Sequence, residues 1–137
     1  MSLFKVFDVA GSAMSAQSVR LNTTASNLAN AESVSGSPEE AYRARHPVFA
    51  AVMNSLRGTE SAASVRVAGI VESQAPAQAR YAPDHPMADA NGYIYLPNVN
   101  VVEEMANMIS ASRSYQNSVE VMNTSKQLML RTLMLGQ

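Results

Sequence analysis

Val101-Val-Glu-Glu-Met-Ala-Asn-Met-Ile-Ser-Ala-Ser-Arg-Ser-Tyr-Gln-Asn-Ser-Val-Glu-Val-Met-Asn-Thr-Ser-Lys-Gln-Leu-Met-Leu-Arg-Thr-Leu-Met134 contains no proline, and its larger side chains return every seven positions. Val101, Met108, Tyr115, Met122 and Met129 form one row, and Met105, Ser112, Val119, Lys126 and Leu133 form the other. Rows spaced in this way trace the seam of a helix that pairs with another helix. At 1.5 Å per residue the helix is about 50 Å long. Asn98 or Asn100 can cap its start, and Asn100 with Glu103 has the spacing of a capping box. Glu103 and Glu104 fall where the helix dipole favours carboxylates and read as cap and surface charges. The closing run Leu128-Met-Leu-Arg-Thr-Leu-Met-Leu135 is apolar on nearly every side, so a single partner helix cannot cover it.

The first 31 residues show a weaker version of the same period. Phe7, Met14, Leu21 and Leu28 make one row, and Leu3, Ala10, Gln17, Thr24 and Ala31 make its complement. Gln17 and Thr24 are polar, while Gly11, Ser12, Ala13, Ser15 and Ala16 are small. Such a seam lets backbones approach closely but does not hold a helix by itself. Pairing of the two terminal helices, antiparallel or parallel, is the natural first step, and further copies would cover the rest.

All six prolines lie between Pro38 and Pro97, which leaves the terminal segments free of the residue most hostile to helix interiors. Between the helices, Tyr42 to Met53 and Ser64 to Ser73 have strand character, and Tyr93 to Leu96 follows an Asn91-Gly92 turn signal. The stretches 31–40 and 73–90, rich in Ser, Pro, Ala and Gln, read as extended connections. The expected class is α+β: long N- and C-terminal helices paired as a coiled-coil-like bundle, with a small irregular β-containing centre. The expected units are residues 1–31, 32–100 and 101–137.

Composition narrows the function. Ten Lys and Arg against eleven Asp and Glu give the 137-residue chain a net charge of −1, so charge-driven binding to nucleic acid is not expected. No run reaches the 18 apolar residues of a membrane span, and direct membrane insertion is not expected either. Asp8 interrupts the apolar stretch a cleaved signal peptide would need, so any export is expected to use a route without one. With no cysteine, disulfides, thiolate metal sites and cysteine nucleophiles are excluded. Seventeen Ser, ten Asn, six Gln and five Thr outnumber the charged residues, a surface suited to hydrogen-bonded contact with other protein.

Catalytic chemistry finds no support. His46 lies in Arg45-His-Pro, and His85 in Asp84-His-Pro near Asp89; neighbours along a Pro-rich loop do not converge on one point as ligands must. Glu39-Glu40 and Glu103-Glu104 are adjacent pairs that point apart rather than flank a scissile bond. The glycines are scattered, and no serine sits at a nucleophile elbow. Met105, Met108, Met122, Met129 and Met134 at helical spacing read as packing rather than a soft-metal site. No enzyme activity, cofactor or metal is expected.

Ser26-Asn27-Leu28-Ala29-Asn30-Ala31, closing the first helix, resembles the motif shared by bacterial flagellar axial proteins of the rod and hook. The resemblance extends to Phe7-Asp-Val-Ala-Gly-Ser-Ala13, Val71-Glu-Ser-Gln-Ala-Pro76, Ala88-Asp-Ala-Asn-Gly-Tyr93, Pro97-Asn-Val-Asn-Val-Val-Glu-Glu-Met105, Ser110-Ala-Ser-Arg-Ser-Tyr-Gln116 and Leu133-Met-Leu-Gly-Gln137. Within that family these blocks look like the proximal-rod branch, and residues 32–40 and 53–63 are the least similar.

The resemblance implies a structural subunit of the flagellar basal-body rod, the periplasm-spanning shaft that carries torque from motor to hook in flagellum-dependent motility. It implies export through the flagellar type III apparatus and helical assembly with other copies, other rod proteins and the basal-body adaptor at the export gate. The assembly surface would comprise Leu3, Phe7, Ala10, Met14, Leu21 and Leu28 on the first helix. On the second it would comprise Val101, Met105, Met108, Tyr115, Val119, Met122, Met129 and Leu133. A secreted coiled-coil adaptor or effector bound to a soluble partner is the competing expectation.

Overall fold

The computed structural model describes residues 3–54 and 62–135. The elements run α1 (Leu3–Asn30), β1 (Arg45–Asn54), β2 (Ala62–Glu72), β3 (Gln78–Tyr81), β4 (Tyr93–Leu96) and α2 (Val101–Leu135). The chain is therefore α+β, with helices at the two ends of the sequence and two small antiparallel sheets between them.

The two helices pack against each other, and their direction follows from two contacts. Gly11 faces Met122, whose Cε lies 4.0 Å from where a Cβ on Gly11 would stand. Further along α1, Arg20 Nη2 donates to Asn107 Oδ1 at 2.9 Å. Rising numbers on α1 thus meet falling numbers on α2, so the helices are antiparallel. Asn100 caps α2: its side-chain oxygen accepts from the main-chain N–H groups of Val102 (3.1 Å) and Glu103 (3.3 Å), two donors with no partner inside the helix.

β1 and β2 form a ribbon that packs along α1. Its register shifts at Val48/Phe49, where Val48 pairs with Gly69 and Phe49 with Val67, leaving Ala68 as an extra residue. A bulge of this kind bends and twists the ribbon. Pro47, opposite Ile70, is tolerated because in a two-stranded ribbon every strand is an edge. Ser12 on α1 ties the ribbon down: its hydroxyl donates to the Val9 carbonyl at 2.8 Å and accepts from Val65 N–H at 3.1 Å.

The second sheet corrects the sequence reading, because residues 73–90 do not run as a plain connection. Gln78–Tyr81 pairs with Tyr93–Leu96 as β3. All four β3 residues are exposed, so no apolar alternation marked the strand. The turn between them needs Gly92, at φ 81°. A Cβ there would lie 3.0 Å from Tyr81 Cε2 and 3.2 Å from Pro83 Cβ. Tyr81 and Tyr93 meet edge to face, with ring centroids 5.3 Å apart. Ser35 pairs with the outer side of β4 at Tyr95.

The core is small and made of small residues. Among the described residues the buried apolar side chains are Ala10, Ala16, Ala41, Ala44, Ile94, Pro97, Val99 and Ala111. Since apolar burial contributes about 25 cal/mol per Å², alanines stabilise the isolated subunit little. Meanwhile Val102, Met105, Ile109, Leu128, Leu130, Leu133, Met134 and Leu135 of α2 are exposed. Among the described residues no helix is long and apolar enough to cross a membrane.

Candidate assembly surface and the junction that positions it

Where α1 ends, an asparagine does the work that a large apolar side chain does in most cores. Asn27 is fully buried. Its Oδ1 accepts from Arg45 N–H and from the Tyr42 hydroxyl, both at 2.9 Å, and its Nδ2 donates to the Arg45 carbonyl at 2.8 Å. The side-chain amide thus matches a backbone amide and fixes the start of β1 against the end of α1. Burial pushes the Tyr42 phenol up in pKa; the Arg45 guanidinium partly opposes this, and the Glu104 and Glu72 carboxylates add to it. The hydroxyl therefore stays protonated as a donor at neutral pH.

A second asparagine completes the junction. Asn98 Oδ1 accepts from Ala44 N–H at 2.8 Å, and its Nδ2 donates to the Ala75 carbonyl at 2.7 Å. Ser73 N–H donates to the Ala44 carbonyl at 2.7 Å. The end of α1, the base of the ribbon where β1 starts and β2 ends, and the approach to α2 are thereby stitched through the buried amide of Asn27 and the half-buried amide of Asn98, and buried amides are costly to leave unpaired. Arg45 also reaches Glu72, 3.2 Å away, but both side chains are half exposed and such a pair contributes little.

The motif Ser26-Asn-Leu-Ala-Asn30 resolves into separate jobs. Asn27 is the buried lock, and Leu28 is half-buried. Asn30 donates from Nδ2 to the Ser26 carbonyl at 2.8 Å, and its own carbonyl accepts from Ser33 N–H, closing the helix. Ser26 and Ala29 are exposed.

The helix seam differs in part from the one read in the sequence. On α2, Met108, Tyr115, Met122 and Met129 are half-buried, but the complementary buried positions are Glu104, Ala111 and Ser125, with Ser118 half-buried between them. Val101, Met105 and Leu133 point outward, Val119 is half-buried, and Glu104 is not the surface charge expected. Both complements have heptad spacing; within the subunit the buried one is Glu104, Ala111 and Ser125. The usable signal was size, since Ala111, Ser118 and Ser125 suit the small residues of α1. On α1, Ala10 and Thr24 are buried, and Phe7, Met14 and Leu21 are half-buried. The side chain of Leu3 lies outside the described residues. Gln17 Oε1 is buried without a hydrogen-bond partner. The pair is thus polar and small inside, and greasy outside.

Two open clefts flank α1. One, about 230 Å³, runs between the helices along Val6, Val9, Ala10, Ala13, Ser118 and Val121. The other lies between α1 and the ribbon, at Val19, Thr23, Ser26 and Ile70. The loop before β4 is organised by Asp89. Its Oδ1 accepts from the N–H groups of Asn91 (2.8 Å) and Tyr93 (2.9 Å), and its Oδ2 from the Tyr95 hydroxyl (3.1 Å). These bonds, Tyr93 N–H foremost, hold its carboxyl below the usual range. His85 Nδ1 accepts from Met87 N–H at 3.1 Å, a turn contact rather than a ligand pose. Among the described residues no group of His, Asp and Glu is arranged to hold a metal.

Family models match the two helical ends of the chain. The family described as "Flagella basal body rod protein" matches residues 7–36, and "Flagellar basal body rod FlgEFG protein C-terminal" matches residues 90–135. The chain is 54% identical over 137 residues to the flagellar basal-body rod protein FlgC of Salmonella typhimurium strain LT2, covering 100% of both chains. It is 55% identical over 137 residues to the protein of that name from Escherichia coli O157:H7, again over 100% of both. The protein of that name from Buchnera aphidicola subsp. Schizaphis graminum is 43% identical over 141 aligned residues and is likewise covered in full.

Proposed function

The chain belongs to the FlgC family of flagellar basal-body rod proteins and is a structural subunit of that rod rather than an enzyme; from that premise we propose how it builds the shaft. Subunits join head-to-tail into a helical tube at the proximal rod and carry torque from motor to hook. Heterologous contacts of this kind propagate instead of closing. Residues 1–31 and 101–137 act as the axial helices and complete a coiled-coil-like bundle once neighbours are in place. Residues 32–100 act as the outer unit.

The observation that carries this reading is the inverted polarity of the helix pair. Glu104, Ala111 and Ser125 are buried while Val102, Met105, Ile109, Leu133 and Leu135 are exposed. An exposed apolar band on this scale marks a protein contact surface. The interface would use the outward residues Val101, Met105 and Leu133 together with Phe7, Ala10, Met14, Leu21, Leu28, Met108, Tyr115, Val119, Met122 and Met129. Partners are other copies, other rod proteins and the adaptor at the export gate.

The same feature suits export through the flagellar type III apparatus without a cleaved signal. A helix pair with a small, polar seam opens readily, so the chain can thread a channel. Ordering it at the tip costs about 1–2 kcal/mol per residue of backbone entropy, which burial of the outward face then offsets.

Mass spectrometry and immunogold labelling of purified basal bodies test the reading. The chain is expected in the rod at stoichiometric amounts, and its deletion is expected to abolish swimming. Recovery only as a small soluble complex, with basal bodies free of it, would establish an adaptor instead.

A further inference from the structure

Successive main-chain N–H groups in the loop before β4 end on one residue. Asn91 N–H and Tyr93 N–H donate to Asp89 Oδ1 at 2.8 and 2.9 Å, and between them Gly92 N–H donates to the Asp89 carbonyl at 3.0 Å. Gly92 is held from its other side as well, because its carbonyl accepts from Ala82 N–H at 2.9 Å. The Asn91–Gly92 link is thus fixed at both flanks, while Asn91 itself is exposed.

This link is chemically singular in the chain. Of the ten asparagines only Asn91 precedes a glycine, and glycine has no Cβ to keep its nitrogen away from the preceding side chain. When the backbone is free to turn, the Gly92 main-chain nitrogen attacks Asn91 Cγ. The N–Cγ bond forms, the nitrogen's proton passes to solvent, and the side-chain nitrogen takes a proton and leaves as ammonia. Water then adds to either carbonyl of the cyclic imide. Breaking the new bond leaves an aspartyl residue at position 91; breaking the old peptide bond leaves an isoaspartyl one, with the main chain routed through the side chain. Water is the sole co-reactant.

We propose that Asn91 is a self-modification site whose reaction the folded turn suppresses, with Asp89 as the residue that holds the turn shut. Attack requires the Gly92 nitrogen to give up its proton and swing towards Asn91 Cγ. A nitrogen whose proton is donated to the Asp89 carbonyl, inside a turn closed from both flanks, does neither. Reaction therefore proceeds from the open form, and its rate follows the population of that form. Modified residues accumulate on chains that linger unfolded. Either product adds a carboxylate two positions from Asp89. The isoaspartyl form also lengthens the main chain by a methylene between Asp89 and Tyr93, which breaks the turn and parts the Tyr81–Tyr93 rings, now 5.3 Å apart at their centroids. The proposal concerns the turn alone and is independent of how subunits join.

Purified full-length chain is incubated in mildly alkaline buffer with and without guanidinium chloride. Tandem mass spectrometry follows residue 91 for the gain of about one mass unit that exchange of ammonia for water brings. Conversion at Asn91 is expected to be about tenfold slower in the folded chain. Asp89→Ala, which removes the acceptor of two of the three N–H groups, is expected to raise the rate in native buffer about tenfold. Asp89→Asn keeps an uncharged and weaker acceptor, so its rate should fall between the two. Asn117, which precedes Ser118 on α2, reports wholesale opening and should stay unconverted in native buffer. If Asp89→Ala converts Asn117 too, Asp89→Asn decides, by exceeding the native rate or not. Equal rates at Asn91 with and without guanidinium overturn the shielding. A native rate in both Asp89 variants overturns the role of Asp89, and no mass gain in guanidinium overturns the site.

Discussion

Asn27 reads both main-chain polar groups of Arg45, eighteen residues away, accepting from its N–H at 2.9 Å and donating to its carbonyl at 2.8 Å. In a fold whose buried apolar set is mostly alanine, this pairing sets where the ribbon leaves the helix. Asn27→Ala strands the Arg45 groups and the Tyr42 hydroxyl, and each unmet buried bond costs about 1–3 kcal/mol. Urea unfolding of the full chain should show a large loss of stability, well beyond that of Ala29→Gly on the exposed side of the same turn.

Gln17→Leu should act in the opposite direction. It removes a buried oxygen that has no partner and adds apolar contact in the seam, a gain of about 1 kcal/mol. Slower hydrogen exchange of the α1 amides in the isolated subunit would register it. If weak pairing serves export, the same variant should be secreted more slowly.

Met122→Asp places a carboxylate against Gly11, where burial without a partner is costly. Rod growth and swimming should stop while the chain still reaches the export apparatus. Leu28→Asp should behave likewise, and normal motility in both would remove the seam from the assembly surface. Gly11→Ala tests the same spot gently: its Cβ meets Met122 at an ordinary 4.0 Å, so better helix propensity should leave stability unchanged or raised by up to about 1 kcal/mol.

Gly92→Ala forces an L side chain into a left-handed backbone and against Tyr81 and Pro83, a cost of about 1–3 kcal/mol. With no tryptophan in the chain, near-ultraviolet dichroism reports the tyrosines, and the Tyr81–Tyr93 signal should weaken. His85→Ala, which removes one exposed turn contact, should be close to silent in motility.

Asp89 gives the fold an acid-sensitive corner. Its carboxyl pKa is lower in the folded chain than the ordinary 3.8, chiefly through the Tyr93 N–H bond. Such a group stabilises the fold above the unfolded value and loses that contribution as pH falls through the folded one. Urea midpoints of the native chain and Asp89→Asn should therefore differ at neutral pH and converge below 3.8.

The α+β class, β4 and the capping role of Asn100 were legible because each rests on local signals: heptad spacing, an Asn-Gly turn and a capping residue. Half of the helix seam was legible too, in the Met108, Tyr115, Met122 and Met129 row. What differed was the row that completes the seam within one subunit. Heptad spacing put Met105 and Leu133 on the complementary row, whereas the subunit turns Glu104 and Ala111 inward and leaves those two exposed. β3 escaped because all four of its residues are exposed, and the Asn27–Arg45 pairing because a side chain mimicking backbone leaves no periodic trace.

Pro47 and the extra residue at Ala68 carry a consequence for how a sticky monomer avoids the wrong polymer. A flat ribbon with unbroken rims would invite strand-on-strand stacking between subunits. A ring that offers no N–H and a kink that spoils the pleat blunt those rims. Cohesion is thereby left to the helices.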